Sequence, residues 1–212
     1  GVELDQRDPA SSVNSELNTG IKGYIPPDRD CRVVSVRPMA SGTLRAAPQI
    51  GMLEVASVGT AVQSMYFDTT MHGPERRHGI VEFDVPAMGG RLEGATLRFV
   101  DRHGWQLQPV AADLHNLSFY SADGVVSTDD WIREGPPFAT FSTDLNDLNP
   151  RARSFDVTGQ VRFGSRLGVR IELDRDGLPA GSYGSGFEDF AVDLKLCNEA
   201  ALPNGVPVSD PL

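Results

Sequence analysis

The eight residues from Leu167 to Asp174 read LGVRIELD, and their alternation constrains the fold more than any other feature of the chain. Leu167, Val169, Ile171 and Leu173 occupy one set of positions, and Gly168, Arg170, Glu172 and Asp174 occupy the other. A strict period of two suits a strand with one face buried and one in water. We read it as an interior strand of a β-sandwich. Three further stretches carry the same signature, and none carries a comparable helical one.

Taken in order, residues 1–30 are polar and broken by Pro9, Pro26 and Pro27, which reads as an extended arm. Strands are expected at CRVVSVR from Cys31, at Gln49 to Ser57, and at Ala61 to Asp68, with Gly59-Thr60 as a turn. Met71 to Arg77 reads as a charged loop leading into HGIVEFDV, where Val81, Phe83 and Val85 face inward. LEGATLRFV follows after Gly89-Gly90, and the short connection makes these two strands expected neighbours. Asp101 to Gln108 reads as a loop. In Val110 to Tyr120 the inward set switches from Ala112 and Leu114 to Leu117 and Phe119, which a bulge at His115-Asn116 would explain. Ser121 to Pro137 is irregular, with one helical turn at Thr128 to Ile132 capped by Ser127 or Thr128. Strands at Phe138 to Ser142, at ARSFDVTGQV and at LGVRIELD precede a glycine-rich hairpin turn, Gly181 to Gly186. Phe187 to Cys197 closes the fold, with Phe190, Val192, Leu194 and Leu196 inward, and residues 198–212 read as a Pro-rich tail or linker. About ten strands without an internal repeat define an all-β class, an antiparallel two-sheet β-sandwich of jelly-roll type spanning residues 31–197.

A length of 212 residues suits one such domain, since sandwiches often run to about 200–250 residues. The formal net charge of −10 and the pI near 4.8 argue against a phosphate-binding surface, and so against nucleic acid and anionic lipid as partners. No apolar run approaches the ~20 residues of a membrane span. The two cysteines, Cys31 and Cys197, admit two readings. They form one disulfide if the first and last strands lie side by side as in a jelly-roll, or they are two buried thiols in a cytosolic protein.

Between Arg77 and Leu196 the order of features resembles the secreted bacterial jelly-roll modules called DNRLRE-type domains. It is also similar to sandwiches in exported proteins that end in a Pro-Glu-Pro sorting tail. The pieces that carry the resemblance are RRHGIVEFDVPAMGGRLEGATLRF, LHNLSFYSADGVVSTDDW, SFDVTGQV and RLGVRIEL. The terminal VPVSDPL departs from the pattern, because it lacks the apolar sorting helix. The resemblance implies a fold similar to carbohydrate-binding modules and a non-catalytic, extracellular role associated with polysaccharide.

Aromatic rings in loops suit sugar binding, because a flat ring covers the apolar face of a pyranose while polar neighbours bond its hydroxyls. Trp105 and Trp131 are the candidates, joined by Tyr66, Tyr120 and Tyr183. Calcium is the expected cation, at Asp174 and Asp176 near Gly177, with Asp123, Asp129 and Asp130 as a second acidic cluster. The four histidines show no metal-ligand spacing and read as solvated loop residues. Two alternatives accompany the binding module. One is a structural subunit of a surface layer, sheath or filament, forming homo-oligomers through the N-terminal arm. The other is a polysaccharide lyase in which Arg76 and Arg77 neutralise a uronate while Tyr66 or His78 removes the α-proton.

Overall fold

The computed structural model describes residues 30–69, 73–104, 113–132, 136–143, 149–174, 181 and 183–198. Eleven strands lie within them: β1 (Cys31–Val36), β2 (Pro38–Ala47), β3 (Met52–Val58), β4 (Val62–Thr69), β5 (Gly73–Asp84), β6 (Arg91–Gly104), β7 (Asp113–Ser121), β8 (Ala139–Thr143), β9 (Arg151–Asp156), β10 (Arg166–Asp174) and β11 (Tyr183–Cys197). One-turn 3-10 helices occupy Pro48–Ile50 and Thr128–Trp131. Every pairing among the strands is antiparallel. The main path runs β8-β7-β10-β5-β4-β11-β6-β9, and this continuous sheet curls into a half-barrel.

The period-two stretch is interior, as its pattern requires. β10 pairs β5 on one side and β7 on the other, and Leu167, Val169 and Ile171 enter a core shared with Val81, Phe83, Leu97, Phe99, Leu117, Phe187, Val192 and Leu194. Phe99 lies at the centre of the aromatic packing, with Phe190 and Phe187 at 5.0 and 5.7 Å between ring centroids. A smaller cluster on the opposite face joins Leu44, Ile80 and Val126, with Tyr120 and Trp131 packed against it.

The first and last strands do lie side by side. Cys31 pairs Cys197 in the β1–β11 register, and the two form a disulfide with Cα atoms 4.0 Å apart. The bond closes a sequence separation of 166 residues, for which the chain-entropy account gives on the order of 5 kcal/mol, with measured values commonly about 2–5. The predicted arm and tail lie outside the described residues except for Asp30 and Asn198, where the Asn198 N–H donates to the Asp30 carbonyl at 3.0 Å.

Several local expectations are corrected. β2 is a ten-residue strand within a stretch to which the alternation assigned none. The segment Gly73 to Arg77 is the first half of β5 and not a loop. It holds because Glu75 accepts from Arg45 Nη2 at 2.7 Å and from Arg77 Nε at 2.9 Å. Burial alone would raise the Glu75 pKa, but these hydrogen bonds outweigh it and hold the carboxyl low. Asp101 to Gly104 continue β6, and Tyr183 to Gly186 belong to β11 and not to a hairpin turn. β5 and β6 are consecutive but unpaired: β6 pairs β11 and β9, so the connection between them crosses from one part of the curled sheet to another. β7 keeps an unbroken register with β10 from Leu114 to Ser121. Its inward residues before Leu117 are Asp113 and His115, both fully buried, while Leu114 is 44% exposed.

Candidate functional site

β5 changes partner partway along its length. Its Gly79–Asp84 half pairs β10, and its Gly73–Arg77 half pairs β4. β2 occupies the other edge from Arg76 to Phe83, so β10 and β4 take the same edge in succession and diverge at Gly79. A Cβ at Gly79 would stand 2.7 Å from Val62 Cγ2, so glycine lets the start of β4 approach this closely. Beyond the fork β10 continues along β7, pairing Glu172 with Asn116 and Asp174 with Leu114.

A cleft of about 210 Å³ opens at this fork, lined by Met65, Tyr66, Arg76, His78, Asn116, Glu172, Leu173 and Asp174. Tyr66 and Arg76 are register partners across β4 and β5. Tyr66 is 2% exposed, whereas Arg76 is open to solvent. Glu172 Oε2 stands 3.5 Å from Arg170 Nε and 3.8 Å from His78 Nε2. The Oδ1 of Asn116 accepts from Thr140 Oγ1 at 2.8 Å.

His78 forms a wall of the cleft and stacks on Trp131, with ring centroids 3.8 Å apart and planes 3° from parallel. Burial, with Arg170 and then Arg76 nearby, pushes its pKa down to about 3, so the ring is neutral at physiological pH. Its Nδ1 is buried and has no hydrogen-bond partner among the described residues. Trp131 is held from behind, because Arg170 Nη1 donates to its carbonyl at 3.3 Å.

The loop that carries Trp131 is built from its sequence. Ser127 caps the turn Thr128–Trp131, and its N–H donates to Asp130 Oδ2 at 2.8 Å in a capping box. Upstream, Glu82 on β5 accepts from the Tyr120 hydroxyl at 3.0 Å and from the Gly124 N–H at 2.7 Å. Burial raises the Glu82 pKa despite these two bonds. Tyr120 lies across Gly168, where any Cβ would overlap its ring. The loop is therefore pinned onto the sheet beside the cleft.

A second polar group sits in the core. Ser64 Oγ is 3.1 Å from His115 Nδ1, Thr143 Oγ1 is 3.4 Å from His115 Nε2, and Ser185 Oγ donates to Thr143 Oγ1 at 3.1 Å. Asp113 Oδ2 accepts from the Gly184 N–H at 3.0 Å. All five side chains are at most 1% exposed. Burial pushes His115 down to about 3, with Arg153 adding to the effect, and pushes Asp113 up to about 6 against the Gly184 hydrogen bond. His78 and His115 are thus not solvated loop residues. Both sit on strands, and their rings are enclosed by packing.

The sequence candidates separate in space. Tyr66 and Asp174 meet in the cleft, and Trp131 backs it through His78. Tyr120 is half-buried and bonded to Glu82, and Tyr183 is fully buried in β11. Asp123 is exposed in a bend, where its Oδ1 accepts from the Val125 N–H at 3.0 Å and its carbonyl accepts from Arg166. Arg166 and Asp174 are the two ends of β10, so Asp123 and Asp174 are about a strand's length apart, roughly 25 Å. Trp105 and Asp176 lie outside the described residues. Among the described residues no group of three or more His, Cys, Asp or Glu is placed to hold a metal ion. Asn116 and Glu172 enter the cleft only through the β7–β10 register, a signal that a single-strand pattern does not contain.

No protein-family model matches this sequence, and no characterised relative matches it.

Proposed function

We propose that this protein is a secreted, non-catalytic module that binds or adheres to extracellular polysaccharide through the cleft at the fork of β4, β5 and β10. The observation that carries the reading is the joining of a flat, neutral His78–Trp131 stack to a ring of planar polar groups from Arg76, Asn116, Glu172 and Asp174. Such groups suit paired sugar hydroxyls. A cleft of about 210 Å³ is smaller than the ~300–1,000 Å³ of sites that engulf a drug-sized ligand, which fits one ring of a longer chain. We take the curled sheet as a two-sheet jelly-roll, because the inward residues of β5, β7 and β10 pack against those of β6 and β11. The disulfide supports an oxidising compartment. Calcium remains part of the proposal at Asp174 with Asp176.

The test is retention on a polysaccharide array, with and without calcium, beside an Asn116→Ala, Glu172→Ala double variant. Retention on one glycan class that the folded variant loses supports the cleft. Equal retention by both proteins removes the site from the cleft.

A lyase is the second reading, favoured by the convergence of Tyr66, Arg76 and His78 on one cleft. It predicts new ultraviolet absorbance from an unsaturated uronide. A histidine pushed to about 3 is a weak base for an α-proton, and for that reason binding stands first.

A further inference from the structure

The geometry points to a carboxylate as the group this cleft holds, and so to a uronate-bearing polysaccharide as the ligand class. The inference rests on reading the cleft as a glycan site. The charged side chains that line it have interactions within the protein, except at one residue. Glu172 is matched by Arg170, which is 5% exposed and also holds the Trp131 carbonyl. Asp174 has an interaction of its own. His78 brings no charge at neutral pH, so it neither repels an arriving cation nor attracts an anion. Arg76 is the exception. It is exposed, lines the cleft, and makes no hydrogen bond or ion pair among the described residues.

An arginine in that position presents a planar fork of donors that fits a carboxylate with two parallel hydrogen bonds. Its setting fixes where the carboxylate would lie. Arg76 is opposite Tyr66 on β4 and opposite Ala46 on β2, so a neighbouring strand flanks it on each side and the guanidinium is reached from the cleft. The remaining polar groups suit the rest of a sugar ring. Asn116 has its oxygen engaged by Thr140 and keeps its NH₂ to donate, while Glu172 and Asp174 accept from hydroxyls. A neutral sugar would leave the Arg76 charge unmatched; a uronate would satisfy it.

The chain's net charge of −10 acts against a polyanion at long range. At physiological ionic strength the Debye length is about 8 Å, so distant carboxylates are largely screened while a contact pair at Arg76 is not. The inference therefore expects binding set by contact at one residue and not by a broad basic surface.

The experiment measures retention of the full chain on polygalacturonate and on alginate, each beside its own carboxyl-reduced form, which keeps the backbone and removes the charge. Arg76→Gln and Arg76→Lys are run in parallel. Thermal midpoint and tryptophan fluorescence, to which Trp105 and Trp131 both contribute, verify that each variant is folded. The expected result is retention on at least one native uronate and a loss of about tenfold or more on carboxyl reduction. Arg76→Gln should show a similar loss, and Arg76→Lys an intermediate one. Equal retention of native and reduced polymer overturns the inference and leaves the glycan reading standing. Retention of uronate unchanged in Arg76→Gln removes Arg76 as the anchor. No retention on these polymers or on any neutral glycan overturns the inference and the proposed function together.

Discussion

Two histidines on neighbouring parts of the same curled sheet are both pushed to about 3 by burial, and they are held in opposite ways. His115 sits in the core with a hydroxyl at each ring nitrogen, from Ser64 and Thr143. His78 is held by a flat contact with Trp131, and Glu172 approaches its Nε2 at 3.8 Å. Suppressed charge by itself therefore says nothing about role. What distinguishes the pair is whether the nitrogens are already satisfied: His115 completes a closed network, and His78 leaves hydrogen-bonding capacity beside a cleft.

The largest effect is expected at the closed network. His115→Ala would open a cavity and strand the hydroxyls of Ser64 and Thr143, at a cost of about 3–5 kcal/mol. Urea unfolding measures it. Glycan retention, measured at a temperature where the variant is folded, should be unchanged. A loss of binding that exceeds the unfolded fraction would erase the distinction between the two regions.

Next comes Gly168→Ala. The added methyl displaces Tyr120 and, through it, the hydroxyl bond to Glu82, for about 1–3 kcal/mol. Because the same contacts seat the Trp131 loop, this variant should also weaken retention. A variant that loses stability but keeps full retention would mean that the loop's anchorage does not shape the cleft.

The pH profile follows. A histidine depressed from 6.5 to about 3 contributes stability that is complete above pH 6.5 and is lost progressively as the pH falls toward 3. Asp113, raised from 3.8 to about 6, has the reverse sign: its contribution is present below 3.8 and is lost as the pH rises through 6. Two histidines oppose one aspartate, so stability should rise between pH 4 and 6.5. Asp113→Asn should steepen that rise, and His115→Leu should flatten it; denaturation midpoints across the range will show either change. A profile that falls over this interval would contradict the burial assigned to both rings.

The smallest effect on stability belongs to His78→Gln, within about 1.5 kcal/mol, since it loses one stacking contact at the wall of the cleft. Retention is where the change should appear, as a several-fold weakening. Unchanged retention would make the His78–Trp131 stack a plug and not a platform.

Much of the architecture was legible because an apolar core on one face writes a period of two into the residue types. β10, the second half of β5 and the last ten residues of β11 all show it, and the Ser127 cap is a local signal with a local cause. In β10 and the second half of β5, however, the other face, with Arg170 and Glu82, is buried as well and not in water. The pattern failed where the inside is polar. Asp113 and His115 face inward, so the apolar alternation breaks there without any bulge in the β7–β10 register. Their partners are the hydroxyls of Ser64 and Thr143 and the Gly184 N–H, on three other strands, which no local window contains. The first half of β5 failed for a related reason: Glu75 and two arginines look like solvated charge until Arg45, thirty residues away, closes the ion pair. β2, PMASGTLRAA, begins with proline and is made largely of small residues, so its strand character comes from close approach and not from hydrophobicity. At the cleft, Tyr66, Arg76 and His78 were recognisable by type, but only strand register could bring Asn116, Glu172 and Asp174 to them.

The bond between Cys31 and Cys197 also decides how the domain meets force. Tension entering along the chain before Cys31 and leaving after Cys197 crosses one covalent link, and the folded residues between the two cysteines, a sequence separation of 166, are bypassed. A pull on both ends would load the disulfide before any ladder of hydrogen bonds between Cys31 and Cys197. With the bond reduced the same pull would act on β1 and β11 directly, so the redox state sets which elements bear the load.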